Sequence, residues 1–130
     1  MKTKVVITGM GAVTPLGNSV AETWAGIRQG KSGIGPLTKF DCAAFDARIA
    51  GELKGFDPLQ FVNKKELRRL DDFIVYTLAA AEMAKADANL PIGPAEAERT
   101  GVIIGSAIGG LATIEKEKES ILQYGPRKMP

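Results

Sequence analysis

The sequence predicts an α/β fold, and three observations predict it. Two short runs of β-branched, apolar residues, Val5-Val6-Ile7-Thr8 and Val102-Ile103-Ile104, read as buried strands. Each run leads into a glycine-bearing turn, and apolar residues at helical spacing follow in three places. Strands apolar on both faces usually belong to parallel sheets covered by helices.

The elements follow in order. After the first strand, Gly9, Gly11 and a Pro15-Leu16-Gly17 turn punctuate an ordered loop. Asn18 or Ser19 can cap a first helix that carries Val20, Trp24 and Ile27 on one face and stops near Gln29 at Gly30. Residues 31–45, rich in Gly, Pro and Ser, are expected as loop, and residues 48–53 as a short strand weakened by Gly51. Asn63 and Glu66 have the residue types of a capping box. Leu67, Leu70, Ile74, Leu78 and Ala81 then recur at helical spacing, so one helix is expected to about Lys85. A strand over 101–105, a glycine-rich turn over 106–110 and a charged helix over 111–123, ended by Tyr124-Gly125-Pro126, complete the series.

Two strands apolar enough to be buried cannot cover both of their own edges. The remaining strands are therefore expected beyond Pro130, within one incomplete domain over residues 1–130 and without a separate second domain; no internal repeat or linker interrupts the chain.

Composition narrows the function classes. With 45% apolar and 25% charged residues the chain is globular in type, and a net charge of +2 argues against a nucleic-acid or membrane-surface partner for the molecule as a whole. The N-terminus has no signal-peptide pattern. The longest apolar run falls well short of the roughly 20 residues that span a bilayer, so a soluble, cytoplasmic protein is expected. The single cysteine, Cys42, excludes an internal disulfide. Most decisive is the complete absence of histidine, which removes the commonest general base and the usual partner of a nucleophilic Ser or Cys.

Five separated motifs are diagnostic in combination: VVITGMGAVTPLG over 5–17, TW with GKSGI over 23–34, RRLDDF over 68–73, GVIIGSAIGGL over 101–111 and GPRK over 125–128. In this order they closely resemble the N-terminal third of the β-ketoacyl-acyl carrier protein synthases, members of the thiolase-like condensing enzyme family. The resemblance implies the N-terminal part of a thiolase-like, five-layered α-β-α-β-α fold and a homodimeric enzyme. It also implies an acyl chain carried on a cysteine thiolate at a helix N-terminus. It implies further that malonyl-acyl carrier protein is decarboxylated with the help of two histidines. A helix dipole lowers a thiol pKa and backbone N–H groups stabilise an oxyanion, so neither metal nor organic cofactor is implied. None of the three catalytic residues falls on this sequence, and the chain alone is expected to be inactive.

Individual residues divide accordingly. Cys42 lies between Asp41 and Ala43 with no cation or imidazole beside it, and reads as a structural cysteine rather than a nucleophile. Lys64, Lys65, Arg68 and Arg69 cluster near a helix start, where cations oppose the macrodipole by about 0.3–1 kcal/mol each. Asp72 could pair with Arg68 or Arg69. From the residues alone the cluster reads equally as a solvated face or as a partner site. The resemblance implies the latter: a basic patch for the acidic acyl carrier protein, with Arg127 and Lys128 contributing. It likewise implies that Ile108 lines the acyl-chain pocket, although Ala107 stands where many relatives carry glycine, which leaves the chain-length preference open. Trp24 and the apolar stripe of the second helix read as core.

Two other readings compete with this one. Gly9-Met10-Gly11 after a strand suggests a dinucleotide-binding turn, but Thr14 stands where the third glycine belongs and no acidic residue ends a second strand at the required distance. A noncatalytic, ketosynthase-like subunit that docks acyl carrier protein is compatible with these residues, and a later cysteine and two histidines would distinguish the enzyme from it.

Overall fold

The computed structural model describes residues 2–126. Helices dominate it: α1 (Val20–Arg28), α2 (Lys64–Leu67), α3 (Asp72–Asp87), α4 (Pro94–Ala97) and α5 (Leu111–Tyr124), with a 3-10 turn at Pro58–Gln60. Two short strands, β1 (Gly35–Pro36) and β2 (Ile49–Ala50), pair antiparallel with Gly35 opposite Ala50 and Pro36 opposite Ile49.

The helix ends follow the capping chemistry of the sequence. Ser19 caps α1, its hydroxyl accepting from the Glu22 N–H at 3.1 Å, while the Glu22 carboxylate accepts from the Asn18 N–H at 2.7 Å. Past the C-cap Gln29, Gly30 takes the left-handed conformation at φ 64°, which closes the helix. α5 ends differently, at its C-cap Gly125, which combines a positive φ of 77° with an extended ψ of 170°.

α3 is the centre of the fold. Val75 and Ala79 on this helix, 2% and 0% exposed, form the buried core with Val62. The N-terminal segment lies directly on the α3 backbone: a Cβ on Gly9 would overlap the Ala84 carbonyl and Ala88, and one on Gly11 the Ala80 carbonyl. Ala80, Ala84 and Ala88 recur every four residues and so make one small-residue stripe. The two glycines therefore serve close packing of the N-terminal segment against α3.

Four expectations from sequence are corrected. The runs at 5–8 and 101–105 are not buried strands here: Val5 is 92% and Ile103 100% exposed. A β-branched run becomes a buried strand only when its N–H and C=O groups find a ladder, and among the described residues neither run pairs with the other or with a third segment. The helix expected from Asn63 to Lys85 is two helices, because Asp71 adopts extended backbone (φ −70°, ψ 152°) as the N-cap of α3. Residues 31–45 are not wholly loop, since β1 lies within them; its partner β2 occupies the expected short strand at 48–53. Trp24 is not core: it is 59% exposed and borders an apolar cavity with Met10 and Met83. Nor is the predicted apolar stripe of the second helix the core, since Leu78 is 40% exposed and the buried residues of α3 are Val75 and Ala79.

Candidate functional site

The basic cluster sits on α2. Asn63 accepts from the N–H groups of Lys65 and Glu66 at 3.0 and 2.9 Å, and Glu66 returns to the Asn63 N–H, so the capping box expected from sequence is formed. This cap holds a single helical turn in which Lys64 and Lys65 are exposed; Arg68 is its C-cap and Arg69 follows, both also exposed. Among the described residues none of the four cations forms an ion pair. Glu66 is occupied in the cap, and Asp72 pairs elsewhere. The inner side of the turn is apolar. Leu67 closes a cavity of about 230 Å³ with Leu53, Phe56, Val75 and Tyr76. Phe56 there packs edge-on against Tyr76 and parallel to Phe61, with ring centroids 5.5 and 5.8 Å apart.

Asp72, in the first turn of α3, receives Lys39 Nζ at 2.8 Å and the Tyr76 hydroxyl at 3.2 Å. The hydrogen bond from Lys39 holds the Asp72 carboxyl below its ordinary range, and the same bond raises Lys39. Tyr76 is raised chiefly by burial and then by the Asp72 charge. The expected pairing of Asp72 with Arg68 or Arg69 is thus replaced by a pair reaching 33 residues back along the chain. In the loop that carries Lys39, Glu52 accepts from the Thr38 hydroxyl at 2.6 Å, which lowers its carboxyl.

The turn before α5 lies against the same end of α3. Gly109, at φ 74°, packs toward the Phe73 ring, and the Asp71 carboxylate abuts Gly110 and accepts from the Thr113 hydroxyl at 2.5 Å. Ile108 precedes these contacts and is 70% exposed. The structure therefore places Arg68 and Arg69 just before Asp71, and Ile108 on the turn that Asp71 and Phe73 contact. Sequence reasoning missed Lys39, Asp71, Tyr76 and Thr113. Asp71 carries the one usable signal, an N-cap residue type between two helical stretches, which the unbroken apolar spacing on either side obscures.

Other predicted positions stand apart. Cys42 is a free, half-buried thiol. Arg127 and Lys128 lie outside the described residues. Trp24, Met10, Val20 and Met83 line a second, more apolar cavity of about 740 Å³. Among the described residues no cluster of potential metal ligands occurs, and no helix is long and apolar enough to cross a membrane. Chemically, α2 and its surroundings can attract an acidic surface and present an apolar turn. With no histidine in the chain they hold no imidazole base.

Comparison with known proteins agrees over nearly the whole chain. Residues 2–128 match the family model for the beta-ketoacyl synthase, N-terminal domain. The 3-oxoacyl-[acyl-carrier-protein] synthase 2 of Coxiella burnetii is 44% identical over 98% of this chain and 31% of its own length. That of Synechocystis is 42% identical over 98% of the chain and 30% of its own length. The chain thus spans about a third of the curated relatives it matches. Among solved structures, a type II PKS acyl-carrier protein in complex with its ketosynthase bound to the hexaketide matches with TM-score 0.77 and 30% identity, over 100% of this chain and 35% of that one. The ishigamide ketosynthase/chain length factor matches at 0.74 and 31%, over 96% and 31%. The chain follows the N-terminal part of a thiolase-like α/β fold.

Proposed function

Because this chain belongs to the β-ketoacyl synthase family through that N-terminal domain, we propose that it is the opening segment of an acyl-condensing enzyme of fatty-acid elongation. The enzyme transfers the acyl group of an acyl thioester to malonyl-acyl carrier protein, with release of carbon dioxide and of the thiol that carried the acyl group. The observation that carries the reading is the unbroken match over residues 2–128, together with 44% identity to a 3-oxoacyl-[acyl-carrier-protein] synthase 2. The synthase names of the relatives do not favour the noncatalytic docking subunit.

In this reading residues 1–130 are part of one ketosynthase domain that works as a cytoplasmic homodimer. The segment supplies recognition, and the thiolate and imidazoles come from elsewhere in the complete enzyme. Lys64, Lys65, Arg68 and Arg69 dock the acidic carrier, with Arg127 and Lys128 adding to the patch. The support for Lys64, Lys65, Arg68 and Arg69 is exposure without an ion pair among the described residues, on a turn whose cap is intact. Cations held at a surface steer an oppositely charged partner and accelerate its encounter, and the effect weakens with salt. Ile108 lines the acyl-chain pocket; its support is exposure on a fixed turn.

The test is condensation by the complete protein and by the 130-residue chain side by side. The complete protein is expected to release carbon dioxide from malonyl-acyl carrier protein and form ketoacyl product, and the 130-residue chain to form none. A complete reading frame without a further cysteine and two histidines overturns the enzyme reading.

A further inference from the structure

One carboxylate joins the start of α3 to the turn that carries Ile108. Asp71 Oδ1 accepts from Thr113 Oγ1 across 42 residues of chain, and a Cβ on Gly110 would overlap the same carboxylate. The N-cap position of α5 is Gly110, which has no side chain to cap the helix. Meanwhile the Asp71 carbonyl accepts from the N–H groups of Ile74 and Val75 at 3.0 and 3.3 Å, which fixes the residue to the first turn of α3. Asp71 thus sets one negative charge at the positive ends of two helices, α3 through its own N-cap position and α5 across the fold. One residue from Ile108, a Cβ on Gly109 would come into van der Waals contact with the Phe73 ring, so this corner lies beside the start of α3.

We propose that Asp71 is a positioning residue for acyl-chain selection: by holding Thr113 and the Gly109-Gly110 corner, it sets where Ile108 stands in the acyl pocket. The inference rests on the reading of Ile108 as a pocket residue, and the experiment separates the two. Thr113 and Gly110 are the groups through which Asp71 acts, and it touches no substrate. Loss of the Asp71–Thr113 bond leaves the pocket residues unchanged in identity but frees the turn, so discrimination between chain lengths changes more than turnover does.

The test uses the complete enzyme and carrier-free acyl-coenzyme A primers, short and long, so that docking on α2 does not enter. Thr113→Val and Asp71→Ala are expected to change the long-to-short ratio of kcat/KM by roughly threefold to tenfold, the factor that a typical intramolecular hydrogen bond carries. Thr113→Ser, which keeps the hydroxyl, is expected to restore the original ratio. Asp71→Asn, which keeps an acceptor oxygen and the volume, is expected to shift it less than alanine and serves if the alanine variant does not fold. Ile108→Phe is the parallel measurement. If Ile108→Phe moves the ratio but Thr113→Val leaves it fixed, or lowers kcat/KM equally for all primers, the positioning role is overturned. If Ile108→Phe itself leaves the preference unchanged, the pocket reading of Ile108 fails and the proposal fails with it.

Discussion

Asp71 and Asp72 are adjacent carboxylates in different settings: the first faces α5, the second faces the loop that carries Lys39. The Lys39–Asp72 pair is mostly exposed, with side chains 57% and 68% accessible, so its contribution is below about 1 kcal/mol. Its pH dependence follows from the directions of the shifts. Asp72 is lowered from its ordinary 3.8, so its contribution is complete above that value and is lost as pH falls through the lower folded value. Lys39 is raised from 10.5, so its contribution is complete below that value and is lost as pH rises through the higher folded one. Urea midpoints of the complete protein and its Lys39→Met variant are expected to differ slightly between those limits and to converge in acid. A difference that persists below the folded Asp72 value would assign the effect of Lys39 to packing instead.

At the scale of the element, α2 is one turn long and depends on its cap. Isolated helices this short do not persist in water, so the Asn63 box and the apolar inner face set against Phe56 and Val75 hold it. Asn63→Ala is expected to cost about 1 kcal/mol of local stability. It should therefore raise KM for acyl carrier protein in the complete enzyme although no charge has changed. Reversal of Arg68 and Arg69 to glutamate is expected to raise the same KM on the order of tenfold while leaving carrier-free thioesters unaffected. Equal losses on both substrates would mean structural damage rather than docking. The capping box was legible because its two partners are three residues apart. The break after Arg69 was not. Leu67, Leu70, Ile74 and Leu78 keep helical spacing straight through it, and only the extended backbone of Asp71 and its contacts with α5 reveal that the chain restarts there.

The molecule as a whole leaves its most apolar segments uncovered. Val5 and Ile103 stand open while the buried apolar core among the described residues is confined to Val62, Val75 and Ala79, too little apolar burial to offset the entropy of ordering the chain. The 130-residue chain alone is expected to bind a hydrophobic dye and to melt without a cooperative transition, whereas the complete protein should unfold cooperatively and bind little dye. A sharp calorimetric transition of the isolated chain as a monomer would contradict this. Sequence by itself determined the ends of α1 and α5, the capped start of α2, the family and the basic residues of α2, because capping, motif order and charge are written in residues a few positions apart. Only the tertiary structure decided that the two β-branched runs find no ladder among the described residues, that Gly9 and Gly11 exist to admit the α3 backbone, and that Asp72 turns to Lys39 while Asp71 turns to Thr113. Those outcomes depend on which groups meet across 33 or more residues of chain, and local pattern carries no information about such meetings.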